Sequence, residues 1–102
     1  MSDIVQGRPE WTNYPLYKFL SEIFPAYKGR YHILDVLTIA KRLNISGEAI
    51  YRWLRKGKLT PKNAQALCTL ANDPANVEEL AACNPPKKVP VIEDFMPFVF
   101  SA

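Results

Sequence analysis

The chain has 102 residues, 48% of them hydrophobic, with 13 basic and 10 acidic side chains and a net charge of +3. That length suits one small domain with a single modest core. No apolar run is long enough to span a membrane, and the opening MSDIVQGRPEW lacks the charged-then-apolar layout of a secretory signal. Two cysteines, Cys68 and Cys83, make no disulfide framework, so a reducing cytoplasm is the expected compartment.

In chain order, residues 1–13 are polar and aperiodic and read as a flexible N-terminal arm, anchored at most by Trp11. Pro15 suits a first helical turn, and Leu16, Phe19, Leu20 and Ile23 make an apolar stripe that ends before Pro25. The loop AYKGRYH follows, hinged at Gly29, with His32 as the only histidine. Asp35 is placed to cap the next helix, whose stripe is Ile39, Ala40 and Leu43. A tight break at Asn44-Ile45-Ser46 leads into a second amphipathic stretch, with Ile50, Trp53 and Leu54 at i, i+3, i+4 spacing. Ala40 is small where two helices cross closely, and Ile45 is expected to plug the space between them. Asn44 falls where the turn wants a left-handed backbone, which Asn tolerates better than most residues other than glycine.

Gly57 suits a helix C-terminus, and Thr60-Pro61 a cap followed by a first-turn proline; Ala64, Leu67, Cys68 and Ala71 then form another buried stripe. Asp73-Pro74 reads as a break. Asn76 and Glu79 have capping-box spacing for a last short helix that ends by Asn84-Pro85-Pro86. The expectation is an all-α domain of about five short helices over residues 14–83. An extended C-terminal arm over 84–102 completes it. Four prolines in that arm exclude a long helix, and VPVI and PFVF read as short extended segments. Val91, Ile92, Phe95, Phe98 and Phe100 are too apolar to stay exposed. They are candidates for homodimer contact, for a cover over the helical core, or for insertion into another protein.

Charge is segregated along the chain. From Lys28 to Lys62 there are nine basic residues against Asp35 and Glu48, a net of +7, while the remainder carries four basic and eight acidic residues, a net of −4. A basic patch of this strength is the footprint of a polyanionic partner, because phosphate contacts release condensed counterions. The bland counterpart is a basic solvated helix face.

The stretch VLTIAKRLNISGEAIYRWLRKG, residues 36–57, resembles the helix-turn-helix of the phage Cro and repressor family. The likeness is carried by Ile39, Ala40, Leu43, Ile45, Ile50 and Trp53, by Ser46 opening the second helix and by Gly57 closing it. KLTPKNAQALCTLA is similar to the helix that follows in that family. Asn44 stands in place of the commoner turn glycine, and Gly47 where members often carry a base-contacting side chain. The resemblance covers about the middle half of the chain. It implies a transcriptional repressor from a phage or prophage that binds double-stranded DNA as a homodimer and occludes polymerase. Members that dimerise through a C-terminal strand favour the dimer role for the tail.

A recognition helix reads base edges with the outward residues of its first turns. Here these are Ser46, Gly47, Glu48, Tyr51, Arg52 and Arg55. Arg52 suits guanine, Glu48 a cytosine amino group, and Tyr51 a thymine methyl or a phosphate. For Glu48 an i, i+4 pair with Arg52 competes with that role, and Ser46 has a capping role. Lys28, Arg30, Thr38, Lys41, Lys56, Lys58 and Lys62 are candidate phosphate contacts, which position without specifying. Trp53 is expected in the core. Tyr27, Tyr31 and Tyr51 resemble a single-strand stacking set in composition only.

Catalysis is not expected: no serine or cysteine has a legible acid/base arrangement with His32, and two cysteines with one distant histidine make no tetrahedral zinc site. No cofactor, small-molecule substrate or membrane contact is expected. Two other functions remain open. One is an interaction protein that keeps the helix-turn-helix scaffold and binds a host protein through its tail. The other is a DNA-bending recombination accessory factor.

Overall fold

The computed structural model describes residues 13–29 and 32–99. The expected N-terminal arm and Trp11, as well as Arg30, Tyr31 and Phe100, lie outside those residues. Five α-helices follow one another: α1 (Pro15–Ile23), α2 (Val36–Leu43), α3 (Gly47–Lys56), α4 (Pro61–Ala71) and α5 (Pro74–Ala82). A 3₁₀ segment, Ile92–Phe98, closes the described chain. The fold is mostly helical, and extended pairing among the described residues is limited to isolated bridges, Lys28 with Leu34 and Leu59 with Val99.

The local signals act as the residue chemistry demands. Pro15 and Pro61 occupy first-turn positions, where a missing N–H costs nothing. The Thr60 hydroxyl accepts from the Asn63 N–H at 3.1 Å. Leu16, Leu20, Ile39, Ile50, Leu54, Ala64 and Leu67 form the core, together with Phe24 in the loop after α1. That loop turns back as a narrow hairpin. The Gly29 N–H donates to the Ile33 carbonyl at 2.7 Å, and the Asp35 N–H to that of Tyr27 at 2.8 Å.

The last helix starts earlier than its capping-box spacing suggests. Pro74 takes its first turn, so Asn76 lies inside α5 and is fully buried rather than standing at the cap. Its amide group is saturated by backbone. Oδ1 accepts from the Ala26 N–H at 3.2 Å, and Nδ2 donates to the carbonyls of Ile23 at 2.8 Å and Ala71 at 2.9 Å. One side chain thereby ties together the end of α1, the loop behind it, the end of α4 and α5.

Within the C-terminal segment, Ile92–Phe98 forms a 3₁₀ turn where the prolines suggest extended chain. Ile92, Phe95 and Phe98 recur every third residue, and a 3₁₀ turn of three residues places all three on one face. Phe95 is fully buried in this chain's own core, while Ile92 and Phe98 are half-buried against it. Phe19 receives the segment, edge-to-face with Phe95 at 5.0 Å between ring centroids and stacked on Phe98 at 5.2 Å. The Asp94 carboxylate accepts from the Val91 N–H at 3.0 Å, and the Leu59 N–H donates to the Phe98 carbonyl at 2.6 Å. Of the four described residues expected at a dimer contact, Phe95 is committed to the intramolecular core and only Val91 is largely exposed, at 52%. Covering the core is what the tail does over residues 92–98.

Two further expectations change. Ile45 remains 37% exposed, and the interior of the α2–α3 crossing holds Ile39, Ala40 and Ile50 instead. Trp53 is half-buried at the core's edge.

Removing the Asn76 side chain strands one N–H and two carbonyls in the interior. Asn76→Ala is expected to lower unfolding stability by about 3 kcal/mol, whereas Glu79→Ala, on the exposed side of α5, should change it by under about 0.5 kcal/mol. Urea titration checks both, and equal small losses would return Asn76 to a surface role. Phe95→Ala is expected to cost about 3–5 kcal/mol as a cavity opens, and a loss near zero would mean that the tail does not close the core in solution.

Candidate nucleic-acid interface

The candidate surface is built from the connection between α2 and α3. Asn44 adopts φ 60°, ψ 45°, the left-handed conformation, and its N–H reaches the Ala40 and Lys41 carbonyls. The Ile45 N–H follows onto the Ala40 carbonyl at 3.0 Å, so the open end of α2 is closed within two residues. Ser46 then caps α3, its hydroxyl accepting from the Ala49 N–H at 3.2 Å. At the other end Gly57 takes φ 68° and its N–H closes on the Trp53 carbonyl at 2.7 Å.

With both ends fixed, α3 has a single buried face, Ile50 and Leu54, flanked by half-buried Tyr51 and Trp53. Glu48, Arg52 and Arg55 fall at i, i+4, i+7 and form one exposed stripe on the other side. Ser46 is exposed ahead of them and Lys56 behind them, while Gly47 is half-buried. Leu59, fully buried, pins the turn that carries exposed Lys58, and Lys62 is exposed in the first turn of α4. Lys41 is exposed on α2.

Not every cation of the +7 span is free. Arg42 makes the single ion pair among the described residues, to Asp73 at 3.3 Å. It also donates to the Tyr27 hydroxyl at 2.9 Å and lies 5.9 Å over that ring. Burial, opposed by Arg42 and reinforced by Asp73, pushes the Tyr27 phenol above its ordinary value, so it serves as a neutral acceptor. Arg42 is thus a brace between α2 and the start of α5. The competing Glu48–Arg52 pair is not made, and Lys41, Arg52, Arg55, Lys56, Lys58 and Lys62 have no carboxylate within ion-pair distance among the described residues.

Two candidate phosphate contacts are placed differently from the rest. Thr38 is exposed, but its N–H and hydroxyl both donate to Asp35, at 3.2 and 2.7 Å, which leaves no donor for a phosphate and sets a carboxylate at that helix end. Lys28 is half-buried in the hairpin. Burial, then the like charge of Lys87, push its ammonium below the usual lysine value, with Cys83 opposing. Lys28 therefore belongs with Lys87 and Cys83 near the end of α5, not with the cations of α3.

One exposed residue was not singled out by its sequence position. Leu37, on the second residue of α2, falls outside the Ile39–Ala40–Leu43 stripe and is 67% exposed. A Cβ built on Gly47 would stand 2.9 Å from Leu37 Cδ2, so the leucine lies directly against the first residue of α3. The signal was there in principle: a leucine off the apolar stripe of its own helix.

No protein family, curated protein or solved structure matches the chain.

Asn44 directs the chain from α2 into α3 through a left-handed backbone, a conformation costly for most residues other than glycine and asparagine. Asn44→Gly is expected to leave stability within about 0.5 kcal/mol, and Asn44→Val to lower it by about 1–2 kcal/mol. Denaturant unfolding of the pair checks this; indistinguishable variants would mean that the turn relaxes to another conformation.

Proposed function

We propose that this chain binds double-stranded DNA in a sequence-dependent manner through α3, as a transcriptional repressor of the Cro type. The observation that carries the reading is the exposed Glu48–Arg52–Arg55 stripe, unpaired on the outer side of a helix whose two ends are fixed by caps and left-handed turns. A rigid helix with a short N-terminal approach fits a major groove, and its outward residues meet base edges there. Arg52 offers a fork for guanine and Glu48 an acceptor for a cytosine amino group. Lys41, Lys56, Lys58 and Lys62 supply phosphate contacts on the surrounding surface. Two copies on an inverted repeat, excluding polymerase from an overlapping promoter, is the arrangement that follows. A tail that recruits another protein is the second reading, and exposed Val91 and Met96 favour it.

Selection from a randomised duplex library at near-physiological salt, with the mass of the bound complex recorded, tests the proposal. An enriched inverted repeat with half-sites about one helical turn apart, bound by two chains, supports it. Absence of binding to any duplex removes it. On the enriched duplex, Arg52→Ala is expected to cost about 1–3 kcal/mol and to relax preference at one base pair. An equal loss on all sequences would reduce Arg52 to a phosphate contact. Lys58→Ala is expected to weaken binding uniformly and to lower the salt slope by about one, and an unchanged slope would take Lys58 out of the interface.

A further inference from the structure

At its N-terminal end α3 packs against an exposed apolar side chain of α2. Leu37, the second residue of α2, is 67% exposed. Its Cδ2 is so close to Gly47 that an added Cβ would be 2.9 Å away, and the same Cβ would lie 4.0 Å from Tyr51 Cε2. A leucine methyl and an aromatic ring edge therefore flank a backbone position that has no side chain of its own. We propose that Leu37, Gly47 and Tyr51 together read the 5-methyl group of a pyrimidine in the major groove. The inference rests on the DNA-binding reading above and names what the front of that helix selects.

The chemistry favours this occupant. Every other group that a base pair presents in the major groove is a hydrogen-bond donor or acceptor, and the 5-methyl is the one apolar protrusion. Leu37 and Gly47 bring no side-chain donor or acceptor, so a polar base edge gains nothing from them, whereas a methyl group gains contact on two sides. The setting restricts the partner further. The contact adjoins exposed Glu48 and Arg52 on α3, and Leu37 shares its side of α2 with exposed Lys41, which suits a groove walled by phosphates better than an apolar protein surface. Gly47 has its role here through what it omits: a Cβ at that position would meet Leu37 Cδ2 at 2.9 Å and push the leucine aside.

The same methyl occurs on thymine and on 5-methylcytosine, and one experiment distinguishes them. On the duplex enriched by selection, each thymine is replaced in turn by deoxyuridine and each cytosine by 5-methylcytosine, with affinity read by fluorescence anisotropy. One position per half-site is expected to respond by about fourfold, the worth of one buried methyl group. Weaker binding on loss of the thymine methyl assigns thymine, and tighter binding on cytosine methylation assigns the modified base. Leu37→Ala, which exposes no core, is expected to flatten the response at that position while the salt slope stays unchanged. Gly47→Ala is expected to do the same by displacing Leu37, with the thermal melt confirming the fold. A wild-type scan flat at every position, or a response that survives Leu37→Ala in full, overturns the methyl contact and leaves the DNA-binding reading standing. Binding of no duplex overturns both.

Discussion

The three residues between α2 and α3 govern the rest of the molecule. A helix advances about 100° per residue, so a connection one residue longer or shorter would rotate α3 by that amount about its axis. Ile50 and Leu54 would leave the core and the Glu48–Arg52 side would turn towards it, exposing apolar area while burying charge without partners. The register is held by short-range bonds. Asn44 turns left-handed, Ile45 donates back to Ala40, and Ser46 receives the Ala49 N–H. Core packing and the composition of the outer surface are therefore one constraint. What faces the interior decides which residues are presented to solvent, and the caps keep that choice from drifting.

A chain this small buries little without help, and two features outside the α2–α3 unit complete its interior. The 3₁₀ segment brings Phe95 into the core against Phe19, and Asn76 joins the ends of α1 and α4 to α5. The two differ in kind. Phe95 contributes by area and volume, and its neighbours tolerate a similar apolar shape. Asn76 contributes by satisfying backbone groups that the helix ends leave open, which no apolar residue of equal size does. The Leu59 N–H bond to Phe98 further ties the tail to the turn after α3, so the segment that closes the core also steadies the base of the candidate interface.

Much of the helical layout was legible because helices write themselves locally. Apolar residues at 3.6 spacing, Thr60-Pro61, Asp35, Asn44, Ser46 and Gly57 each act through neighbours within four residues, and each sits where its chemistry predicts. The misreadings fall where the deciding partner is distant. Asn76 looks like a cap beside Glu79, and only the ends of α1 and α4, remote in sequence, give its amide a better use. The tail looks extended because of its prolines, yet a three-residue period in Ile92, Phe95 and Phe98 fits a 3₁₀ turn that a search for periods of 2 and 3.6 passes over. In the candidate site the charged stripe of α3 could be placed from spacing alone. The diversion of Arg42 to Asp73 and Tyr27 and the position of Lys28 near the like charge of Lys87 could not, since those neighbours are set by tertiary packing, whereas the Thr38–Asp35 bonds lie within local reach.

The absence of a Glu48–Arg52 pair shapes what the candidate surface can discriminate. The two residues have the favourable i, i+4 order, yet an exposed pair of this kind is worth only about 0.3–0.5 kcal/mol, so leaving both groups solvated costs the fold almost nothing. A surface of cations alone attracts any polyanion and prefers none. An acid within it repels phosphate everywhere except where it meets a donor, such as the amino group of a cytosine. In the proposed complex Glu48 would act against the general attraction of its own neighbours, and such opposition separates a selective contact from a merely adhesive one. The same logic would apply at the front of the helix, where Gly47 and Leu37 offer no polar side-chain group to a base edge. In the proposed complex, selectivity comes as much from what α3 refuses as from what Arg52 grips.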